Sequence, residues 1–275
     1  MTAPDIDLAH ETPAHHLSVD KMPAHWLMAR LGKRVLRPGG LETTRWLIEH
    51  ARITSDDALV ELAPGMGLTA ERLLEQHPAS YVAVERDLDA AALVRRVLAS
   101  SGHPNARLVQ GDAAAMPLED ASASLIFGEA MLSMQTLPKK KRILAEARRV
   151  LRAGGRYAIH ELAVVPEDID EARLAAIARD LSDSIHVGVR IGTLAEWRSW
   201  FEEAGFTVES TYRAPMRLLE LDRLVADEGV LGTARFIVNA VRTPGAVKRL
   251  RSVRASFRKH MAHLGAIALV ARAQA

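Results

Sequence analysis

The chain has 275 residues, is 48% hydrophobic and 25% charged, and carries a formal net charge of +2; this ordinary globular composition suits one large domain or a domain with an added cap. It has no cysteine, which excludes disulfides, thiolate zinc sites and cysteine nucleophiles. The charge gives no global nucleic-acid footprint, and no run of about 18 apolar residues marks a transmembrane helix.

Residues 1–16 are polar and acidic, without the basic and apolar regions of a signal peptide, so a cytoplasmic protein is expected. Residues 1–20 read as weakly ordered. His15, His16 and His25 lack metal-ligand spacing with partners, and no metal site is expected. Trp26, Leu27, Leu31 and Val35 recur with helical spacing over 21–36, and Arg37-Pro38-Gly39-Gly40 breaks that helix. A second helix is expected over 41–52. Residues 1–54 thus form a tail and two cover helices.

From Ala58 strand and helix patterns alternate. Short apolar runs begin at Ala58 and at 81, 107, 123 and 156. Helical patterns open at Thr69 and cover 87–100 and Pro138 to about Arg152, where Gly154-Gly155 stops the last. The alternation implies an α/β fold with a parallel, doubly wound sheet. Residues 166–203 are helical with a break at 186–193. Strands are expected again at 206–212 and 266–271, with helices over 216–264 between them.

The chemistry concentrates at the first strand–turn–helix, 58–73. Gly65-x-Gly67-x-x-Ala70 satisfies a dinucleotide fingerprint, and Glu85 follows Gly65 by the spacing at which an acid takes ribose hydroxyls. On this spacing alone NAD is one reading and a purely structural turn another. Glu61 sits at the strand end, where a carboxylate can answer a cationic group. Asp112 follows the third strand, where an acid can accept from an exocyclic amine.

The segment Lys141-x-x-Leu144-x-Glu146-Ala147-x-Arg149-Val150-Leu151-x-x-Gly154-Gly155 makes the resemblance specific. With the glycine turn, Glu85 and Asp112, the chain resembles the class I S-adenosylmethionine-dependent methyltransferases over residues 55–163. Within them it is similar to the broad group that includes the ubiquinone and menaquinone biosynthesis enzymes. The resemblance implies a Rossmann-like sheet of seven strands, the last inserted antiparallel between the fifth and sixth. The core would then be 55–214 with 265–275, and 215–264 a helical cap insertion. It further implies that Glu61, Ala63, Gly65 and Gly67 form the loop under the methionine part of S-adenosylmethionine. Glu85 would hold the ribose, Asp112 and Ala113 the adenine, and Gly128 would border the sulfonium. Ala63 stands where a glycine is usual.

Methyl transfer needs position, dryness and sometimes a base. The candidates at strand ends and in the irregular stretch after 182 are Glu129, His160 and His186. His160 and Glu161 must face opposite ways on their strand. Gly128-Glu129-Ala130-Met131 is not the Asn/Asp-Pro-Pro-Tyr tetrad that orients planar nitrogens in related enzymes, so a nucleic-acid partner is not expected. Gly229–Ala275 contains no Asp or Glu and nine Lys or Arg. Val247, Leu250, Val253 and Phe257 make 244–262 a basic amphipathic helix, either a solvated face or a contact with an anionic membrane surface. The expected function is methyl transfer from S-adenosylmethionine to a small hydrophobic or anionic organic acceptor. The alternatives are C-methylation of a prenylated or lipid quinone at a membrane surface, an NAD-dependent oxidoreductase, and a non-catalytic cofactor-binding protein.

Overall fold

In a computed structural model that describes residues 11–275, a seven-stranded sheet runs in the order β3-β2-β1-β4-β5-β7-β6. The strands are β1 (Ala58–Leu62), β2 (Ser80–Glu85), β3 (Ala106–Gln110), β4 (Ala123–Glu129), β5 (Leu151–Val164), β6 (Phe206–Pro215) and β7 (Leu264–Ala273). β1 to β5 pair in parallel, and β7 lies antiparallel between β5 and β6. This is the sheet expected from the sequence. The helices are α1 (Ala24–Arg30), α2 (Gly40–Ala51), α3 (Leu68–Leu74), α4 (Leu88–Ser101), α5 (Leu137–Val150), α6 (Glu171–Ile185), α7 (Leu194–Glu203), α8 (Leu221–Arg242) and α9 (Ala246–Lys259). Among the described residues no helix is long and apolar enough to cross a membrane.

The central strands β1, β2 and β4 and the second half of β5 are buried on both faces, because crossover helices cover each side, whereas the edge strand β3 is partly exposed. Val60, Leu62, Ile126, Tyr157 and Ile159 pack against α5 and α7. Leu59, Tyr81, Leu125 and Phe127, on the alternate face, meet α2, α3 and α4. A third cluster gathers α1, α6, α8 and α9 around Leu162, Val164 and Leu264. It forms a cover beyond the C-terminal end of β5.

Three local expectations are corrected. The first helix stops at Arg30 and does not reach 36, because Gly32 takes a positive φ of 100°. Residues Arg34 and Val35 then donate their amides to Glu228, at 3.0 and 2.9 Å. α5 ends at Val150, and Leu151 already pairs with Ala123, so the Gly154-Gly155 turn belongs to β5. Of the stretch expected to be weakly ordered, residues 1–10 lie outside the described residues. Residues 11–20 do not conform: Thr12 is buried, and Glu11 pairs with both terminal nitrogens of Arg96, at 2.6 and 3.0 Å.

The helix signature 141–151 has a physical role. Arg149 donates to the Leu118 and Met116 carbonyls, at 2.8 and 3.0 Å, and to Asp120 and Glu146. Glu146 in turn accepts from the Met116 amide at 2.7 Å. One arginine and one glutamate therefore pin the β3–β4 connection, which follows Asp112. Arg149→Leu leaves those carbonyls without a donor and is expected to cost about 1–3 kcal/mol. Hydrogen exchange should show loss of protection in 111–122 before the rest of the sheet opens.

Candidate active site

The C-terminal ends of β1, β2 and β4 border a cleft of about 420 Å³. The loop after β1 forms one wall. Ala63 has a φ of 51°, the left-handed conformation that glycine adopts without penalty. Its amide donates to the Val84 carbonyl at 2.9 Å, so the pairing with β2 continues through the turn. Gly67 cannot be replaced so readily: its φ is 78°, and a Cβ there would lie 2.8 Å from Val97. The Trp26 ring, on α1, lies over Gly65, within 3.8 Å of where a Cβ would stand.

Glu85 ends β2 and lines the cleft. Its carboxylate accepts from the amides of Arg86, Asp87 and Gly65, at 2.8, 2.9 and 3.3 Å. Burial raises its pKa, and those amide hydrogen bonds oppose the rise. Glu129 ends β4 and also lines the cleft, but it is saturated. It pairs with Arg37 and accepts from Thr69. Thr44 donates at 2.7 Å and His160 Nδ1 at 2.8 Å. Burial alone would raise its pKa; the Arg37 charge and the His160 hydrogen bond outweigh this and hold it at about 2. A carboxylate so held is a poor proton acceptor at neutral pH.

The structure therefore unites Ala63, Gly65, Glu85 and Glu129 along one cleft and leaves the other predicted residues off its wall. Glu61 turns to the sheet interior, where the Tyr81 hydroxyl donates to it, and burial pushes its pKa up to about 8. Gly67, Gly128 and Ala113 sit behind the wall. Asp112 stands beside Arg86, held by Lys139 at 2.9 Å. Burial would raise its pKa, but the Lys139 hydrogen bond lowers it.

His160 and His186 are not brought to the cleft. His160 is fully buried against Glu129, and its Nε2 has no partner. The adjacent Glu161 does face the other way, accepting from the amides of Met131, Leu132 and Ser133, at 3.0, 2.7 and 2.9 Å. Strand alternation thus sends both side chains to structural partners. His186 caps α6 in the left-handed conformation and is exposed, while Val187 reaches the cleft.

Two cleft residues escaped the sequence reading. Arg37 is buried, and its Nε and Nη2 have no hydrogen-bond partner. His25 lines both the cleft and a smaller cavity of about 70 Å³ beside it. Burial pushes its pKa down to about 4, against the opposing Asp87 charge, and no hydrogen bond holds its ring among the described residues. The second cavity is apolar, lined by Met28, Leu36, Leu181, Met216, Leu218 and Phe257 among others. Neither residue sits in a recognisable motif. The Arg-Pro-Gly-Gly break carried the only local signal for Arg37.

The sheet order agrees with what comparison with known proteins finds. Residues 59–155 match the methyltransferase domain family. An uncharacterised protein of Haemophilus influenzae is 34% identical over 219 residues, 79% of this chain and 85% of that protein. Shorter matches, both 34% identical, run to a ribosomal RNA small subunit methyltransferase A from Synechococcus and a ubiquinone/menaquinone biosynthesis C-methyltransferase from Paracoccus denitrificans. They span 38% and 39% of this chain but only 33% and 43% of those proteins. Among solved structures, the MccD protein shares the fold with a TM-score of 0.69 at 20% identity, over 86% of this chain and 99% of that one. The chain belongs to the class I S-adenosylmethionine-dependent methyltransferases. It is a transferase whose cofactor is S-adenosylmethionine, and the NAD reading falls away.

Two outcomes test this geometry. Ala63→Gly relieves a left-handed alanine, and urea unfolding should show a gain of about 1 kcal/mol. His25 stays neutral in the fold down to about pH 4, whereas its unfolded form protonates near 6.5. Between those values the unfolded state binds more protons, so stability is full above pH 6.5 and falls as pH drops toward 4, by at most about 1.4 kcal/mol per unit. Unfolding curves of His25→Gln at pH 7 and pH 5 should show that slope reduced.

Proposed function

We propose that the protein methylates a small hydrophobic acceptor held in the apolar cavity beside the cofactor cleft. The observation that carries this is continuity. His25, Leu36, Ala130 and Met134 line both spaces, so a molecule in the apolar cavity would lie against the cofactor site. The cavity is small, but methionines 28, 134 and 216 form much of its wall, and flexible thioethers yield to a ligand's shape.

S-adenosylmethionine supplies a methyl group already activated on its sulfonium. The chain's part is to bind, orient and exclude water. Glu85, at the β2 end, is positioned for the two ribose hydroxyls. Arg37 lines the cleft, and its Nε and Nη2 have no hydrogen-bond partner, which suits this guanidinium to the carboxylate of the methionine tail. Glu129 keeps the Arg37 guanidinium in place for that contact. Trp26 closes the loop of Ala63, Gly65 and Gly67 from above. Gly128 supports the wall from behind, and Asp112 with Ala113 sits beyond Arg86, where an adenine edge would end. His25, neutral at pH 7, orients the acceptor at the junction and accepts a proton where the acceptor must lose one. This replaces the roles first expected of Glu129, His160 and His186.

The cations around the cleft favour a small acceptor over RNA. Arg37 is paired with Glu129, Arg34 with Glu71, and Arg86 with Asp112. Among the described residues no unpaired basic track is left along the cleft for a phosphate backbone.

Calorimetry with S-adenosylhomocysteine tests the cofactor assignments. Glu85→Ala and Arg37→Gln should each weaken binding by at least about tenfold, since a charged hydrogen bond is worth roughly 1.5–3 kcal/mol. Unchanged affinity in either variant would remove that residue from the site. Labelled methyl transfer across a panel of hydrophobic and polar acceptors tests the class: hydrophobic acceptors should be used, with kcat reduced in His25→Gln. Transfer confined to RNA or to polar acceptors would sink the proposal.

A further inference from the structure

α8 presents its apolar residues the wrong way round for a helix on a globular core. The helix is interrupted at Gly229 (φ 71°, ψ 173°), and Thr233, Phe236 and Ala240 of its second half pack inward. The opposite side is also apolar. Val230, Ala234, Ile237, Val238 and Val241 recur at i, i+4, i+7, i+8 and i+11, with Leu231 beside them, and all six are exposed. Val230, Leu231 and Val241 are 72%, 86% and 71% exposed, so this is a continuous ridge and not isolated surface residues.

The charges around the ridge have one sign. Arg235 and Arg242 follow Leu231 and Val238 by four residues, along the same edge of the helix, and neither has an ion pair among the described residues. The acids of the first half of α8 are engaged elsewhere: Asp222 pairs with Arg217 at 2.9 Å, Asp227 accepts the Leu41 amide at 2.9 Å and Glu228 pairs with Lys33 at 3.3 Å. α9, the basic helix singled out from sequence, is mostly spent internally. Arg254 and Arg258 pair with Glu220, Lys259 pairs with Asp180, and Arg249 is buried on the Ser184 carbonyl. Only Lys248 and Arg251 of that helix remain exposed and unpaired among the described residues.

We propose that the outward face of α8, Val230 to Arg242, docks the protein on an anionic lipid surface. An apolar ridge edged by arginine matches what such a surface offers, acyl chains below and negative headgroups at the level of the guanidinium groups. A second copy of the chain would bring like charges together along the same ridge, with no acid from Gly229 onward to neutralise them. The docking does not depend on methyl transfer.

Flotation of the full chain with phosphatidylglycerol–phosphatidylcholine vesicles, and with phosphatidylcholine vesicles alone, tests this. Binding should favour the anionic vesicles and weaken with salt. Leu231→Glu with Val238→Glu should abolish it. Arg235→Gln with Arg242→Gln should lower partitioning about fivefold for each arginine removed. All four side chains are exposed, and unchanged S-adenosylhomocysteine binding would confirm that the variants fold. No flotation of the parent chain overturns the proposal, as does equal binding by the glutamate variant. A parent chain that does not float but sediments as a dimer, lost in that variant, assigns the face to a second copy and overturns it too.

Discussion

The carboxylate of Glu129 gathers donors from four separate parts of the chain. Arg37 comes from the segment before α2, Thr44 from α2, Thr69 from α3 and His160 from β5. A buried carboxylate is costly without donors, so each partner is drawn to a defined place. The result is a cover clamped to the end of the sheet with Arg37 turned into the cleft. Removing the acid would leave a buried guanidinium and a buried imidazole without an acceptor, a larger loss than any single contact implies.

Three strand-end acids meet three different fates, decided by the donors near each. Glu161 is consumed by the turn after β4, where amides and the Ser133 hydroxyl take both its oxygens. Glu129 is consumed by side chains. Glu85 is bound only by backbone amides, Arg86 and Asp87 on Oε1 and Gly65 on Oε2, and still edges the cleft. Strand alternation explains why His160 and Glu161 part company, and complete burial keeps both off the cleft wall.

The apolar cavity beside the cleft is assembled from segments far apart in sequence. Met28 of α1, Leu181 of α6, Met216 and Leu218 after β6, and Phe257 of α9 converge on one apolar cavity. They belong to the third hydrophobic cluster, whose members share no local pattern. α9, which supplies Phe257 to this cavity, packs against α8, which carries the exposed ridge.

The sequence by itself determined the sheet. Period-2 and period-3.6 apolar patterns, glycine at turns and the Glu146–Arg149 signature are local, and local sterics and capping suffice to set them. It also supplied Glu85 and the Ala63–Gly67 loop, because a strand, a turn and a helix N-terminus are contiguous. Only the tertiary structure decided which polar groups remain unsatisfied. His160, Glu161 and, on α9, Arg249, Arg254, Arg258 and Lys259 look available as letters, yet each finds a partner tens of residues away. Arg37 and His25 carry no motif, yet burial leaves two nitrogens of Arg37 without a partner from the protein and pushes the His25 pKa down to about 4. Satisfaction of a buried group depends on distant donors, and no local pattern records them.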